Sequence, residues 1–295
     1  MGEPVQKKAT TESAPDTKTQ APPAASSPVG ASAGAIATLI QDADNALVAN
    51  QPLVARLLLN RALQDSRGSA AQKKAVRARL TSINNELVFS PRVVDGDPLT
   101  DRYVIQPGDS LAKIASKLQL HVDWRLLKRI NRITDPRRIR IGQTIKVIHG
   151  PFVAVIHKSA FRLDLYALVG ADDSAESRLY VRSFDVGLGK YGSTPVGSWV
   201  VRKNSKLINP PWSNPQTGER FSADNPKNPI GERWIGLAGT DDTTRQLQGY
   251  GLHGTIDPGS IGDESSMGCI RLGSDDINLL YEMLVETASV VEIAP

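Results

Sequence analysis

The sequence holds a single cysteine, Cys269, and only four histidines in 295 residues. One thiol cannot close an internal disulfide, and the lack of further cysteines excludes a cysteine-rich zinc site. No run approaches the roughly 18 apolar residues that a membrane helix needs. With 40% hydrophobic and 22% charged residues, the chain has a globular composition and is too long for one ordinary domain.

Aromatic residues make up only 5% of the chain, and none precedes Phe89. The first 34 residues also lack hydrophobic periodicity, so they cannot bury enough surface to offset the entropy of ordering. We predict a disordered tether over residues 1–34. It has no apolar signal-peptide core, and we expect that an export signal or membrane anchor was removed ahead of it. We predict no transmembrane segment in the chain itself.

Residues 35–92 are predicted to form a helical module. Apolar residues recur at helical spacing in three segments, and Pro52 fits the first turn of the second. Ser69 and Gln72 predict a capping box for the third. A pattern between Ala55 and Leu63 resembles one tetratricopeptide-type helical hairpin, and we favour a packing or spacing role for it.

Positive charge is concentrated in residues 101–148, which carry a net +7, whereas residues 149–295 carry −5. Such a segment prefers a polyanion or an acidic surface. Nucleic acid is one alternative, but only Tyr103 and Trp124 are aromatic there and both fit the core pattern, so we predict no nucleic-acid partner. A solvated face attracted to an anionic cell wall is the other interpretation.

The same segment predicts a strand, two helices and a closing strand. It opens with Tyr-Val-Ile-Gln-Pro-Gly-Asp-Ser-Leu from Tyr103 and closes with Ile-Gly-Gln-Thr-Ile, and over residues 101–149 it resembles the LysM module. The resemblance implies that glycans containing N-acetylglucosamine bind between the turn after the first strand and the loop at 133–139. The turn residues it points to are Gly108, Asp109, Ser110 and Leu111.

The lone thiol lies in a segment that could support nucleophilic catalysis. A cysteine attacks as its thiolate, and a nearby imidazole can take the thiol proton. His253 lies 16 residues before Cys269, within a stretch rich in turn-forming residues. If the segment is extended, Arg271 faces the same side as Cys269 and could bind a substrate carboxylate. Spacing alone leaves open that the cysteine is a small buried hydrophobe.

The motifs His-Gly-Thr at 253–255 and Ser-Met-Gly-Cys-Ile-Arg at 266–271 resemble the signature of the L,D-transpeptidase catalytic (YkuD-like) family. The hairpin Ser-Thr-Pro-Val-Gly at 193–197 and other motifs extend the resemblance over residues 150–295. It implies a mostly-β, β-sandwich catalytic domain that needs no metal or cofactor. In many members a second histidine precedes the Gly-Cys pair, where this chain has Met267.

The resemblance also implies a role for each matching residue. Cys269 would be the nucleophile and His253 the general base, with the Gly254 carbonyl orienting the imidazole and Arg271 assisting substrate binding. The backbone N–H groups of Gly268 and Cys269 would form the oxyanion hole. Further substrate-binding residues are predicted at Tyr250, Trp234, Ser266 and Thr255.

Together these patterns predict a multidomain α+β protein: a tether, a helical module, a small βααβ LysM module and a mostly-β catalytic domain at 150–295. The resemblance implies a cysteine acyltransferase of the periplasm or cell wall that forms 3→3 peptidoglycan crosslinks through a thioester. Stem peptides and glycan strands would be its partners. The alternatives are an L,D-carboxypeptidase acting on the same substrate and a non-catalytic peptidoglycan-binding protein.

Overall fold

The computed structural model describes residues 29–170 and 177–295, and its first part is a bundle of three helices. Their bounds are α1 Val29–Val48, α2 Pro52–Gln64 and α3 Ala70–Leu87. Proline opens α2, and Ser69 and Gln72 form the predicted capping box at the start of α3. The predicted tether is corrected over residues 29–34, which lie in α1, and residues 1–28 lie outside the described residues.

The next part has the predicted strand-helix-helix-strand order. Its elements are β1 Thr100–Val104, α4 Leu111–Lys117, α5 Trp124–Ile130 and β2 Thr144–Ile148. The two strands pair antiparallel, with Tyr103 opposite Ile145. Ser110 caps α4 and Asp123 caps α5, each by accepting a backbone N–H through its side-chain oxygen.

The C-terminal part is built on one eight-stranded mixed sheet, which confirms the expected α+β fold class with a mostly-β C-terminal region. Its strands and helix are β3 Phe152–His157, β4 Arg162–Leu168, β5 Arg178–Asp185, β6 Leu188–Gly189, β7 Gly197–Ile208, β8 Trp212–Ser213, β9 Arg220–Phe221, β10 Arg233–Gly239, β11 Gly251–His253, β12 Glu264–Ser266, β13 Ile270–Arg271, α6 Ser274–Met283 and β14 Val290–Ala294. The order across the sheet is β13-β11-β10-β7-β14-β3-β4-β5. The sheet is continuous, because β14 pairs with both β7 and β3 and joins them.

The helical bundle covers one edge of this sheet. Two buried asparagines reach the edge strand β5: the Asn60 side-chain oxygen accepts the Tyr180 N–H at 2.8 Å, and Asn84 Nδ2 donates to the carbonyls of Tyr180 and Val181 at 2.8 and 3.1 Å. An uncovered edge strand presents unpaired backbone groups that invite pairing with another chain. The helices therefore cover this edge of the sheet.

A buried lysine ties the βααβ part to the helices. Lys146 on β2 is almost fully buried, and its Nζ donates to the carbonyls of Leu87, Ser90 and Arg92, the last at 2.9 Å. These carbonyls lie at and after the end of α3, where helix geometry leaves carbonyls unpaired. Burial lowers the pKa of Lys146 to about 8. A buried ion pair between Arg56 and Asp97, with N···O 2.7 Å, lies nearby.

The βααβ part also contacts α6. The Glu282 carboxylate accepts hydrogen bonds from Nε and Nη2 of Arg129, at 2.5 and 2.8 Å. The Glu282 backbone carbonyl accepts the Asp123 N–H at 2.9 Å. These contacts join the basic segment to the acidic C-terminal part. Across residues 29–170 and 177–295, no helix has both the length and the apolarity that a membrane crossing requires.

Candidate active site

Two short parallel strands bring the predicted catalytic residues together. On β11 and β13, Leu252 lies opposite Ile270 and His253 lies opposite Arg271. Side chains at paired positions of two parallel strands lie on the same face, so His253 and Arg271 point to one face of the sheet. Cys269 directly precedes β13, which places it beside the strand that carries His253.

The His253 imidazole is buried and its tautomer is fixed. Nδ1 lies 2.6 Å from the carbonyl oxygen of Gly254. Because a carbonyl can only accept, Nδ1 carries the hydrogen and Nε2 keeps its lone pair. Burial, with a smaller effect from the Arg271 charge, lowers the pKa of His253 to about 4. The ring is therefore neutral at pH 7 and can act as a base.

The Trp234 indole packs on that imidazole. The two residues are cross-strand partners on β10 and β11, with ring centroids 5.8 Å apart and planes within 19°. Glycine at 251 makes room for the indole, since a Cβ there would lie 2.8 Å from a Trp234 ring carbon. Trp234 was predicted to bind substrate, but its ring contacts the proposed base.

The Cys269 thiol is partly covered and protonated. Its Sγ–H points to the Gly249 carbonyl at 3.6 Å, and the residue keeps some exposed surface. Burial raises the pKa of Cys269 to about 11, although the nearby Gly251 N–H opposes the shift. Within the described part of the chain no hydrogen bond joins the sulfur to His253. The resting pair is therefore a thiol and a neutral ring.

A tight turn fixes the backbone ahead of the sulfur. Ser266 Oγ accepts the Gly268 N–H at 3.1 Å and donates to the Cys269 carbonyl at 2.7 Å. Gly268 has φ +128°, and a Cβ there would lie 2.8 Å from Tyr250 Cε1. The predicted oxyanion hole is thus reduced, because the Gly268 N–H is committed to Ser266, whereas the Cys269 N–H is not. Ser266, predicted to bind substrate, holds the turn.

Arg271 is engaged by the protein. Its Nη2 donates to the Ser260 carbonyl at 3.3 Å and to Ser265 Oγ, so the guanidinium binds two points of the segment between β11 and Cys269. Burial lowers its pKa, and Nε is a buried donor with no partner among the described residues. The predicted carboxylate-binding fork is therefore partly occupied in this structure.

Tyr250 and Thr255, the remaining predicted substrate-binding residues, are both partly buried. The Tyr250 ring packs against Trp199, with centroids 5.4 Å apart, and against Gly268. Thr255 Oγ1 accepts the Asp257 N–H at 3.1 Å within its own loop. Each is adjacent to the site, and each has a structural partner.

The predicted glycan-binding turn is only partly open. Gly108 is exposed, with φ +80°. Asp109 accepts the Tyr103 hydroxyl at 2.7 Å and the Gln106 N–H at 2.8 Å, and Ser110 caps α4. Leu111 is 1% exposed, which corrects the prediction for its side chain, because a core residue cannot reach a sugar.

The sequence did not predict that β6 and the motif at 193–197 support the turn at 266–269, which holds the proposed nucleophile. A Cβ on Gly189 would lie 2.6 Å from the Gly268 Cα, so the two backbones touch. The Gly189 N–H is held by the buried Thr194 hydroxyl at 2.8 Å. The motif at 193–197 was the signal that could have found it. Met267 is exposed, and no cluster of three His, Cys, Asp or Glu suited to a metal occurs among the described residues.

Comparisons with known proteins agree with these motifs. Residues 152–293 match the family model of the L,D-transpeptidase catalytic domain, and residues 103–147 match that of the LysM domain. A Bacillus licheniformis protein named "Putative L,D-transpeptidase YkuD" is 26% identical over 201 residues, which are 65% of this chain and 98% of that protein. "Putative L,D-transpeptidase YqjB" of Bacillus subtilis is 34% identical over 104 residues, which are 34% of this chain and 53% of that protein.

A crystal structure of an L,D-transpeptidase from Mycobacterium tuberculosis H37Rv aligns with 54% of this chain and 75% of its own. It is 15% identical with a TM-score of 0.34, a similarity too low to carry an argument about this chain.

Proposed function

We propose that this chain is an L,D-transpeptidase that forms 3→3 crosslinks between peptidoglycan stem peptides, because residues 152–293 match the catalytic-domain model of that family and residues 103–147 match the LysM domain. The proposed nucleophile is Cys269 and the proposed base is His253. The observation that carries the proposal is the pairing of β11 with β13, which places His253 on one strand and Cys269 directly before its neighbour.

In the first half-reaction, Cys269 Sγ attacks the carbonyl carbon of the third residue of a tetrapeptide stem. Nε2 of His253 takes the thiol proton, because Nδ1 is held by Gly254. The tetrahedral oxyanion is stabilised by the Cys269 N–H. When the C–N bond breaks, the imidazolium returns the proton to the departing D-alanine amine and leaves a thioester.

In the second half-reaction, a side-chain amine of a neighbouring stem attacks the thioester. Nε2 accepts a proton from the amine, the C–S bond breaks, and the sulfur regains a proton as the crosslink is released. Since neither half-reaction requires an open metal site, the side chains described above suffice. Arg271 is proposed to hold the loop that shapes the site as well as to face the stem carboxylate.

The LysM domain is proposed to hold the enzyme on glycan strands in the periplasm or cell wall. Such tethering raises the local concentration of stem peptides near the catalytic domain. Because Lys146 and Glu282 bind this domain to the rest of the protein, deletion of residues 101–148 would damage the fold. Glycan binding is better tested by Gly108→Val in the exposed turn, which should weaken binding to isolated sacculi and leave turnover of soluble stem peptide unchanged.

The reaction is tested with a disaccharide-tetrapeptide substrate and mass spectrometry of the products. A crosslinked dimer with loss of one alanine per bond supports transpeptidation, whereas a trimmed tripeptide alone would indicate a carboxypeptidase. Cys269→Ser should lose both products. Intact-protein mass after carbapenem treatment should show one adduct on the native chain and none on Cys269→Ser, and a native chain without adduct would support the non-catalytic alternative.

A further inference from the structure

A strip of cationic side chains on the LysM domain is not used by the proposed reaction. Residues 125–140 contain seven basic residues and one acidic residue, Asp135. We call these seven the basic strip: Arg125, Lys128, Arg129, Arg132, Arg137, Arg138 and Arg140. They follow α5, the loop after it and the short 3₁₀ turn Pro136–Arg138.

Three members of the basic strip are neutralised by carboxylates. Arg125 pairs with Asp123, Arg129 with Glu282 and Arg137 with Asp135. The other four are Lys128, Arg132, Arg138 and Arg140, and no carboxylate of the described residues lies within 4.0 Å of their charged groups. Four unpaired cations in such a short stretch repel one another, so an anionic ligand would stabilise them.

Part of the basic strip lines a groove between α5 and α6. The groove has a volume of about 450 Å³, with Lys128, Arg129 and Arg132 on one wall and Glu282 on the other. A second hollow of about 560 Å³ is lined by Arg138 and Arg140. Lys128 lies on α5 and Arg132 just after its end, with φ +53°, and both line the same groove, so one chain of anionic groups could contact both.

The groove wall is held in place by the catalytic domain. The two-pronged contact of Arg129 with Glu282 raises the pKa of Arg129 and fixes α5 against α6. The Arg125 guanidinium lies over the Trp124 ring, 4.8 Å from its centroid. A wall fixed in this way binds with a smaller loss of side-chain entropy than free lysines on a surface.

The chemistry favours phosphate groups on a chain without bases. Arginine guanidinium groups bind phosphate oxygens in pairs, and three such groups together with the Lys128 ammonium suit a polyanion. Nucleic-acid binders also offer aromatic faces for stacking. Here Trp124 is covered by Arg125, and Tyr103 donates its hydroxyl to Asp109 and lies beneath Lys117.

We propose that the basic strip is a binding site for a base-free, phosphodiester-linked polyanion, separate from the predicted glycan-binding turn at 108–111. The site is independent of the Cys269 chemistry. A bound polyanion would lie across the junction of the LysM and catalytic domains, because the groove includes residues of both.

The test measures binding of a fluorescent glycerol-phosphate oligomer to the full chain by anisotropy at several salt concentrations. If four phosphates are neutralised, log Kd should change with log salt with a slope of about 3. The variant Lys128→Gln/Arg132→Gln/Arg138→Gln/Arg140→Gln should weaken binding by about 100-fold at low salt. The control Arg61→Gln/Lys74→Gln/Arg202→Gln/Lys203→Gln removes the same charge from exposed sites elsewhere and should bind within about threefold of the native chain.

Equal losses in the two variants would overturn the proposal, because net charge alone would then explain binding. Tighter binding of single-stranded DNA of equal charge would overturn it in favour of nucleic acid, and so would the absence of binding to the native chain. The pair Arg138→Gln/Arg140→Gln lies in the exposed loop and tests the site without altering α5. Both four-residue variants are checked by thermal unfolding before they are compared.

Discussion

The ionisation state of Cys269 can be tested by alkylation. With a pKa near 11, about 1 in 10,000 of the Cys269 side chains is thiolate at pH 7, compared with about 1 in 100 for a thiol at the ordinary value of 9.0. The thiolate of a weaker acid is more nucleophilic, which recovers about tenfold of the hundredfold deficit. We therefore expect iodoacetamide to react with Cys269 roughly tenfold more slowly than with an unperturbed thiol.

The assay follows the intact mass of the protein during iodoacetamide treatment between pH 6 and pH 10. Because Cys269 is the only thiol, each addition reports on that site. The logarithm of the rate should rise with pH in unit slope and without a plateau, and His253→Gln should give the same profile. A plateau between pH 6 and 8 that disappears in His253→Gln would refute the reasoning, because it would reveal a preformed thiolate–imidazolium pair.

Three further changes test the supports of the site and fold. Trp234→Ala exposes one face of the His253 ring, so the pKa of His253 should rise from about 4 toward 6.5. The acid limb of the pH profile of kcat/KM for carbapenem acylation should then move up by at least about one pH unit. Trp234→Phe keeps the ring covered and should leave that limb in place. Gly268→Ala puts a Cβ 2.8 Å from Tyr250 at φ +128°, and the acylation rate should fall at least about tenfold by intact-mass kinetics; an unchanged rate would show that the turn adapts. Asn84→Ala removes two hydrogen bonds to β5 and should lower the free energy of unfolding in urea by about 1–3 kcal/mol, and a smaller loss would mean that water replaces the amide.

Local signals in the sequence predicted the elements and the candidate residues. The capping residues Ser69, Ser110 and Asp123 act within three positions of their partners, so the pattern alone locates the helix starts. His253 and Cys269 stand in one short segment with glycine neighbours, and this proximity made them candidates before their strands were known.

Contacts between distant segments could not be predicted in this way. Trp234 lies on His253 because β10 and β11 pair in a specific register, and a shift by one residue would turn its ring to the other face. Asn84 looks like an ordinary polar helix residue, although its partners on β5 lie 96 and 97 positions away. The charge states of the site also depend on burial, which the sequence does not specify.

The difference between the pKa values of Cys269 and His253 restricts when the proton can move from the thiol to the imidazole. With pKa values of about 11 for Cys269 and about 4 for His253, moving the proton before attack would cost on the order of 10 kcal/mol in the resting site. A pre-equilibrium ion pair is therefore disfavoured, and proton transfer should accompany C–S bond formation, where the developing thioester makes the thiol more acidic. Acylation should then be slower in D₂O than in H₂O, measured as kcat/KM for a carbapenem at a matched plateau of the pH profile. An absent or inverse isotope effect would mean that the sulfur is already ionised when the substrate arrives, and that substrate binding, rather than the chemical step, reorganises this site.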